Sequence, residues 1–164
     1  MTSLRYGRRV STRRWILAGA STLALLLGPA AGAEGRIVVN HSVAGIELGM
    51  TAEQVVARLG RPSLSTVEQG ARNLVYSRRR LVVTLSRSRV VIVATRSRGE
   101  ATRRGIGVGS SVGSVRRRVA GVRCGEKAGV AFCRTGSTRP GRRSTTFQIQ
   151  SRRVVTVTVA RGVD

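Results

Sequence analysis

One segment recurs within the chain, and its recurrence limits the folds that the sequence can adopt. Residues 45–62 read GIELGMTAEQVVARLGRP, and residues 105–111 read GIGVGSS, which aligns with residues 45–51 at a constant offset of 60. Strand-like runs follow both copies. Similarity at a fixed spacing indicates a repeated structural unit. We therefore predict two repeats, at about residues 45–98 and 105–162.

The first copy contains the signals of a short amphipathic helix. Thr51 and Gln54 have the spacing of a capping box, in which each side chain accepts a hydrogen bond from the other residue's backbone N–H. Four apolar residues then recur on one face at helical spacing: Ala52, Val55, Val56 and Leu59. Gly60 and Pro62 end the helix. In the second copy, Ser111 is the corresponding cap.

Three extended runs rich in β-branched residues follow each predicted helix. They cover residues 72–76, 80–85 and 89–95 in the first half and residues 130–133, 145–150 and 153–159 in the second. Short polar connections within the pairs favour antiparallel hairpins. The predicted fold class is therefore α+β: tandem α-β-β-β repeats that form an antiparallel sheet with the helices packed on one face.

Alternation along the last two runs separates an apolar face from a polar one. The apolar side chains are expected to face the helices: Phe147, Ile149, Val155, Val157 and Val159. The polar side chains are expected to point the other way: Thr146, Gln148, Gln150, Thr156 and Thr158. In the first half, Val82, Val90 and Ile92 should make this outer face more apolar. A mixed, exposed sheet face is a candidate surface for a protein partner.

The N-terminus has the parts of a secretory signal peptide. Residues 1–15 contain five arginines and no acid, residues 16–33 carry no charge, and Ala31-Gly32-Ala33 is a small-x-small cleavage site. We predict cleavage after Ala33 and one exported domain over residues 34–164, secreted or held in the cell envelope or periplasm. An uncleaved anchor is the alternative, but the strongly apolar part is shorter than the ~20 residues that span a membrane. Two adjacent arginines leave open whether export follows the general or the twin-arginine route.

Two cysteines, Cys124 and Cys133, lie nine residues apart in a chain predicted to be exported. An even count in an oxidising compartment favours a disulfide. In the chain-entropy model, closing a loop of this length contributes about 2.5–3 kcal/mol to stability. A metal site would need more ligands than two cysteines and the distant, single His41. We expect no metal and no other cofactor.

The predicted mature segment is strongly basic, with 25 Lys and Arg against 7 Asp and Glu, a net charge of +18. Such a charge favours anionic partners, including envelope polymers, lipid headgroups and acidic proteins. Aromatic residues that could stack on bases are nearly absent, so nucleic acid is not expected as a partner. Arginine-rich codons of a GC-rich genome are an alternative source of the charge.

No arrangement of catalytic residues stands out in the sequence. General acid–base catalysis usually needs paired carboxylates or a histidine with a partner, and the acids are isolated along the chain. No serine lies in a Gly-x-Ser-x-Gly motif. The glycines at 105, 107 and 109 lack the parallel strand and the later acid of a dinucleotide site. We therefore predict a protein that is not an enzyme.

The first copy resembles a known family. Leu48-Gly49-Met50-Thr51, followed by Val55, Leu59-Gly60 and Pro62, is similar to the GMT…V…LG.P motif of the SmpA/OmlA (BamE-like) family of small envelope proteins. The duplicated layout of the mature chain is similar to the β-lactamase inhibitor protein family. In that family a disulfide joins the helical part to the first strand, which is where Cys124 and Cys133 would lie.

This sequence departs from both families in several places. The second copy lacks the methionine and the closing Gly-x-Pro, and no lipobox cysteine is present. The resemblance therefore does not imply a lipid anchor. The contact residues of the inhibitors cannot be matched, so lactamase inhibition is not implied either.

Together these observations predict an exported, non-enzymatic binding protein that uses a sheet face to hold a secreted or envelope protein. The first alternative is binding of anionic envelope polymer or lipid headgroups through arginines. A less favoured alternative is inhibition of a secreted enzyme.

Overall fold

A computed structural model describes residues 36–163 as two β-sheets and two short α-helices. The predicted signal peptide and its cleavage site lie outside the described residues. The elements follow one another in this order: β1 (Arg36–Val38), β2 (Ser42–Val43), β3 (Ile46–Glu47), α1 (Ala52–Leu59), β4 (Leu64–Glu68), β5 (Ala71–Tyr76), a 3₁₀-helix (Ser77–Arg79), β6 (Leu81–Ser86), β7 (Arg89–Thr95), β8 (Ala101–Thr102), α2 (Val112–Arg118), β9 (Arg123–Lys127), β10 (Val130–Gly136), β11 (Arg143–Gln150) and β12 (Arg153–Arg161).

The larger sheet has eight strands in the order β4-β5-β6-β7-β12-β11-β10-β9, and all of its neighbours are antiparallel. The smaller sheet has four short strands in the order β3-β2-β1-β8, in which β1 and β8 are parallel. The pairing of β7 with β12 joins the first half of the chain to the second.

The predicted fold class is wrong. Residues 36–163 are mostly β, in two sheets, and do not form an α+β tandem repeat with helices packed over one sheet. The helices have eight and seven residues, and each contributes one buried residue, Val55 or Val115. Helices this short cover little of an eight-stranded sheet, so strands supply most of the core.

Two edge strands were missed because their sequences lack an apolar face. The predicted unit has three strands, but four strands of the larger sheet follow each helix, beginning with β4 and β9. Val67 of β4 is 72% exposed, and most of β9 is exposed. Because an edge strand with few core contacts needs no apolar alternation, the pattern that reveals buried strands is absent.

The smaller sheet comes from segments outside the strand-like runs that the sequence predicts. Its strand β1 has neighbours on both sides, and Ile37 is buried. The polar segment between the two predicted repeats contributes β8, whose two residues pair in parallel with β1. Strands of two or three residues carry too short a pattern to be recognised from sequence.

The core lies on one face of the larger sheet. It combines buried residues of that sheet, such as Phe147 and Leu74, with Ile37 and Val43 of the smaller sheet and with Val115 of α2. The smaller sheet and the helices therefore cover the same face of the larger sheet. The opposite face is left without a covering element among the described residues.

A β-bulge in each half changes which valines reach the core. The register shifts between Thr84 and Leu85 and again between Gln148 and Ile149. As a result Val90 and Val154 are buried, whereas Val155 is only partly buried. The predictions of an outward Val90 and an inward Val155 are therefore wrong. An extra residue at a bulge reverses the alternation beyond it.

The bulges also attach the loops that precede the helices. The backbone of Val90 exchanges hydrogen bonds with Gly49 N–H and the Met50 carbonyl, both at 2.8 Å. Val154 makes the equivalent pair with Gly109 and Ser110, at 2.8 and 2.9 Å. Because a bulged strand offers unpaired backbone groups, each helix is tied to its sheet at its start.

The predicted caps are confirmed. Thr51 Oγ1 accepts a hydrogen bond from Gln54 N–H at 3.3 Å, and Gln54 Oε1 accepts one from Thr51 N–H at 2.9 Å. Ser111 caps α2 through Ser114 N–H at 3.2 Å. Gly60 ends α1 with a positive φ of 82°. Within residues 36–163, neither helix has the length and apolar composition needed to cross a membrane.

Candidate functional site

The uncovered face of the larger sheet, which we call the outer face, carries all five residues predicted to bind a partner. Cross-strand pairing places Thr146 opposite Thr158 and Gln148 opposite Thr156. Gln150 lies two residues beyond Gln148 on the same strand and so shares its face. The structure therefore brings the five together on β11 and β12, and their binding of a partner stays a prediction.

Exposure differs among the five residues. Gln148 and Gln150 are exposed, and Thr146 and Thr158 are partly buried. Thr156 is only 9% exposed although it points away from the core. The side chains around Thr156 therefore extend above it and shield it from solvent. The outer face is concave near Thr156.

The same face continues without a break into the first half of the chain. One row of directly opposed residues crosses all eight strands, from β9 to β4. We call it the central row: Arg123, Arg134, Thr146, Thr158, Ala94, Val82, Val75 and Leu64. Neighbouring strands are about 4.8 Å apart, so the row is about 34 Å long. Its composition changes from basic through small and polar to aliphatic.

A depression of about 690 Å³ lies at the aliphatic end of the central row. Val75, Val82 and Ala94 form its apolar lining, and the exposed Arg80 and Arg96 border it. Thr156 also lines the depression. The predicted binding residues and the depression therefore belong to one continuous surface.

Tyr76, which borders the depression, links it to the end of α1. The Tyr76 hydroxyl donates a hydrogen bond to the Gly60 carbonyl at 3.2 Å. Burial raises the pKa of the Tyr76 phenol, with the nearby Arg79 opposing the shift. The hydroxyl therefore remains a donor at neutral pH and holds the loop after α1 against β5.

The basic end of the central row is built around Arg134. Its Nε donates a hydrogen bond to Thr146 Oγ1 at 2.9 Å, and its guanidinium lies 4.8 Å from the centroid of the Phe132 ring. Arg123 stands directly opposite Arg134 on β9. Like charges in this position repel each other, and within residues 36–163 no carboxylate lies within 4.0 Å of either. This end of the face is suited to an anionic group.

The predicted disulfide is confirmed. Cys124 of β9 and Cys133 of β10 are directly opposed and bonded, with their Cα atoms 3.9 Å apart. The bond holds the edge strand that carries Arg123 to the strand that carries Arg134. A structural disulfide fits an oxidising compartment and is consistent with export.

Both ring nitrogens of His41 lie close to side chains of other segments. Its Nε2 is 3.4 Å from Glu47 Oε2, and its Nδ1 is 3.0 Å from Arg143 Nη1. Across residues 36–163, no group of three or more His, Cys, Asp or Glu side chains is arranged to hold a metal ion.

Sequence reasoning found half of the outer face and missed the rest. Val82 and Ile92 were expected on it and do lie there, but Arg123, Arg134 and Ala94 were not identified. Alternation within β10 is the signal that could have placed Arg134. The continuity of the central row depends on the pairing of β7 with β12, for which the sequence carries no local signal.

No family model matches the chain, and no curated protein matches it. Solved structures do resemble its fold. An extracellular protein containing an SCP domain from Bacillus anthracis aligns with a TM-score of 0.52 at 11% identity, over 70% of this chain and 44% of that protein. This chain therefore spans less than half of that protein's length, and the similarity shows the fold alone.

Two further structures align less closely. A cysteine-rich secretory protein from Staphylococcus aureus gives a TM-score of 0.47 at 12% identity, over 70% of this chain and 44% of that one. A DUF4309 family protein from Bacillus subtilis gives a TM-score of 0.49 at 13% identity, over 79% of this chain and 89% of that one.

Proposed function

We propose that the protein is an exported, non-enzymatic binding protein whose outer face holds a protein partner. The central row carries the proposal, because it is a continuous strip of partly exposed residues on an otherwise well-packed sheet. A strip about 34 Å long is long enough for a standard interface, which buries about 800 Å² on each partner.

The chemistry of the strip describes the partner. An apolar side chain fits the depression over Val75 and Val82, because such anchors in pockets dominate interface energies. An acidic group fits the other end, beside Arg134 and Arg123. Between them, the small side chains of Thr158 and Ala94 leave room for a protruding loop.

Export is part of the proposal. The predicted cleavage after Ala33, the disulfide and the extracellular character of the similar Bacillus anthracis protein all support it. The resemblance of residues 48–62 to the SmpA/OmlA family, and of the layout to the β-lactamase inhibitor protein family, supports a non-enzymatic role in the envelope or outside the cell.

The test is affinity capture from the native envelope and culture medium, with the exported protein as bait. Thr158→Arg places a large cation at the middle of the central row. Gln148→Arg places one on the same face, two residues along β11 from Thr146. Ala57→Arg is the matched control, because it adds the same side chain on the exposed side of α1. We expect the Ala57→Arg control to capture as much partner as the wild type does. Each of the two outer-face variants should capture at least tenfold less. Capture that all three variants retain, or no reproducible partner, would refute the proposal.

A second candidate function is arginine-mediated binding of anionic envelope polymer or lipid headgroups. The observation that favours it is the shortage of ion pairs. Among the described residues, Arg58 is the one arginine within 4.0 Å of a carboxylate, that of Glu47. Binding of this kind weakens with salt. Sedimentation with wall polymer that is unchanged between low and high salt would exclude it.

A further inference from the structure

A second concavity, separate from the outer face, lies where the smaller sheet meets the end of α2. This cleft has a volume of about 360 Å³. Its apolar lining includes Val38 and Val39 from the β1 segment and Val119 and Ala120 from the end of α2. Val38 is 40% exposed, so the apolar surface of the cleft is open to solvent. None of its lining residues belongs to the central row.

Four arginines surround the apolar lining of the cleft: Arg36, Arg103, Arg104 and Arg118. Two of them are held in place by each other. Nη1 of Arg104 donates to the Arg118 carbonyl, and Nη1 of Arg118 donates to the Arg104 carbonyl, both at 3.3 Å. A guanidinium has five N–H donors. Among residues 36–163, each of the two side chains therefore uses one donor in this way and keeps others for an anion.

The corresponding place in the first half shows what this cluster lacks. Arg58 is related to Arg118 by the offset of 60 residues, and it likewise donates from Nη1 to a backbone carbonyl, that of Gly45. Arg58 Nη1 also lies 3.9 Å from Glu47 Oε1. The residue 60 positions after Glu47 is Gly107. Arg118 therefore has no carboxylate within 4.0 Å among residues 36–163.

We propose that this cleft binds an anionic amphiphile, a small molecule with one carboxylate or phosphate head and an apolar body. The head group lies on Arg104 and Arg118, because planar guanidinium groups bind both kinds of anion with paired hydrogen bonds. The apolar body covers Val38 and Val119. A volume at the lower end of the ~300–1,000 Å³ range of ligand pockets suits a single short chain or ring.

Isothermal titration calorimetry of the exported protein tests the proposal with three ten-carbon probes at monomeric concentrations: decanoate, decyl phosphate and decanol. We expect one equivalent of either anion to bind, more weakly as salt is raised, and decanol to bind at least tenfold more weakly. Decanol that binds as tightly as decanoate would overturn the proposal, as would the absence of binding by both anions.

Vesicles distinguish a free amphiphile from a membrane lipid as the source of the head group. Vesicles of phosphatidylcholine with and without phosphatidylglycerol are sedimented with the protein in the presence and absence of decanoate. Vesicle binding that decanoate displaces supports the cleft as a site for a lipid head group. Binding of decanoate without vesicle binding supports a free amphiphile.

Variants place the site within the molecule. Arg104→Gln combined with Arg118→Gln should weaken decanoate binding at least tenfold, and Val38→Asp should weaken it through the apolar lining. Arg58→Gln is the matched control and should bind decanoate as the wild type does. Urea denaturation of each variant separates loss of binding from loss of folding. Wild-type affinity in the folded double variant would overturn the proposal.

This proposal and the proposed function fail independently. Thr158→Arg should abolish partner capture and leave decanoate binding intact, because Thr158 lies on the outer face. The Arg104 and Arg118 double variant should do the reverse. Loss of both activities in either variant would contradict the assignment of two separate sites.

Discussion

Replacement of Gly107 by alanine tests the close packing of this residue against β8, at the position that corresponds to Glu47 in the first half. Gly107 lies against β8, where it forms a bridge with Ala101. A Cβ on Gly107 would lie well within 3.0 Å of the Glu100 carbonyl oxygen, and 3.3 Å from the Ala101 Cα. These are backbone atoms, which cannot rotate away. Strand β8 would have to move.

The cost can be worked out from the contacts that this movement disturbs. Overpacking of a well-packed site typically costs about 1–3 kcal/mol. Displacement of β8 also weakens the hydrogen bond from Thr102 N–H to the Ile106 carbonyl, 2.8 Å long, which contributes about 1 kcal/mol. Gly107→Ala should therefore lower the free energy of unfolding by about 2–4 kcal/mol.

Gly113→Ala is the matched control, because the same atom is added inside α2. Its Cβ would meet the flexible end of Arg117 at 3.3 Å, which can move aside. Alanine is favoured over glycine within a helix by about 0.5–1 kcal/mol. Urea denaturation followed by circular dichroism should show a large decrease in midpoint for Gly107→Ala and none for Gly113→Ala. Equal midpoints for the two variants would refute the close approach of β8.

Three other changes test separate parts of the structure. Thr51→Ala removes the cap of α1 and should cost about 1 kcal/mol, read as a lower urea midpoint; an unchanged midpoint would mean that the cap does not contribute. Reduction of the disulfide between Cys124 and Cys133 should cost about 2.5–3 kcal/mol in the chain-entropy model, measured by unfolding with and without reductant; two free thiols in the exported protein, detected by mass spectrometry, would contradict the bond. Burial raises the pKa of Glu100, with Arg79 opposing the shift. The folded state therefore keeps the proton of the Glu100 carboxyl group to a higher pH than the unfolded chain does. The stability that results from this difference is fully present below the unfolded pKa of Glu100 and is lost as the pH rises through its folded pKa. Glu100→Gln should match the wild type at about pH 4 and exceed its stability at about pH 8; a difference that does not change with pH would contradict this reasoning.

The two proposed binding surfaces lie on different parts of a small domain because the larger sheet has one covered and one uncovered face. The smaller sheet and the helices close the core on one side, and the cleft forms where they meet. The other side remains available as the outer face. The two proposed sites therefore share no residue of the central row.

Features that depend on neighbouring residues were predictable from the sequence. The capping box of Thr51 and Gln54 was found because its two hydrogen bonds join residues three apart. The turn at Ser151-Arg152 was found because two polar residues separate two β-rich runs, and both residues have the positive φ that such turns need. The disulfide was expected from the cysteine count and the predicted export.

Features that depend on distant residues were not predictable. Strands β4 and β9 have no buried face to give them a pattern, so the number of strands was wrong. The bulges at Val91 and Val155 reversed the expected facing of nearby valines because each is held by hydrogen bonds to a loop about 40 residues away in sequence, as from Gly49 to Val90. Alternation alone cannot show where a strand will accommodate such a loop.

The sequence by itself determined where the helices are capped and indicated the hairpins of β6 with β7 and of β11 with β12, because capping hydrogen bonds and short polar turns involve neighbouring residues. Only the tertiary structure decided that β7 pairs with β12 and that the central row crosses both halves. It also decided that Gly107 lies against β8 in the place where Glu47 stands beside Arg58. Those arrangements arise from packing between segments far apart in the chain, and they create both the outer face and the cleft.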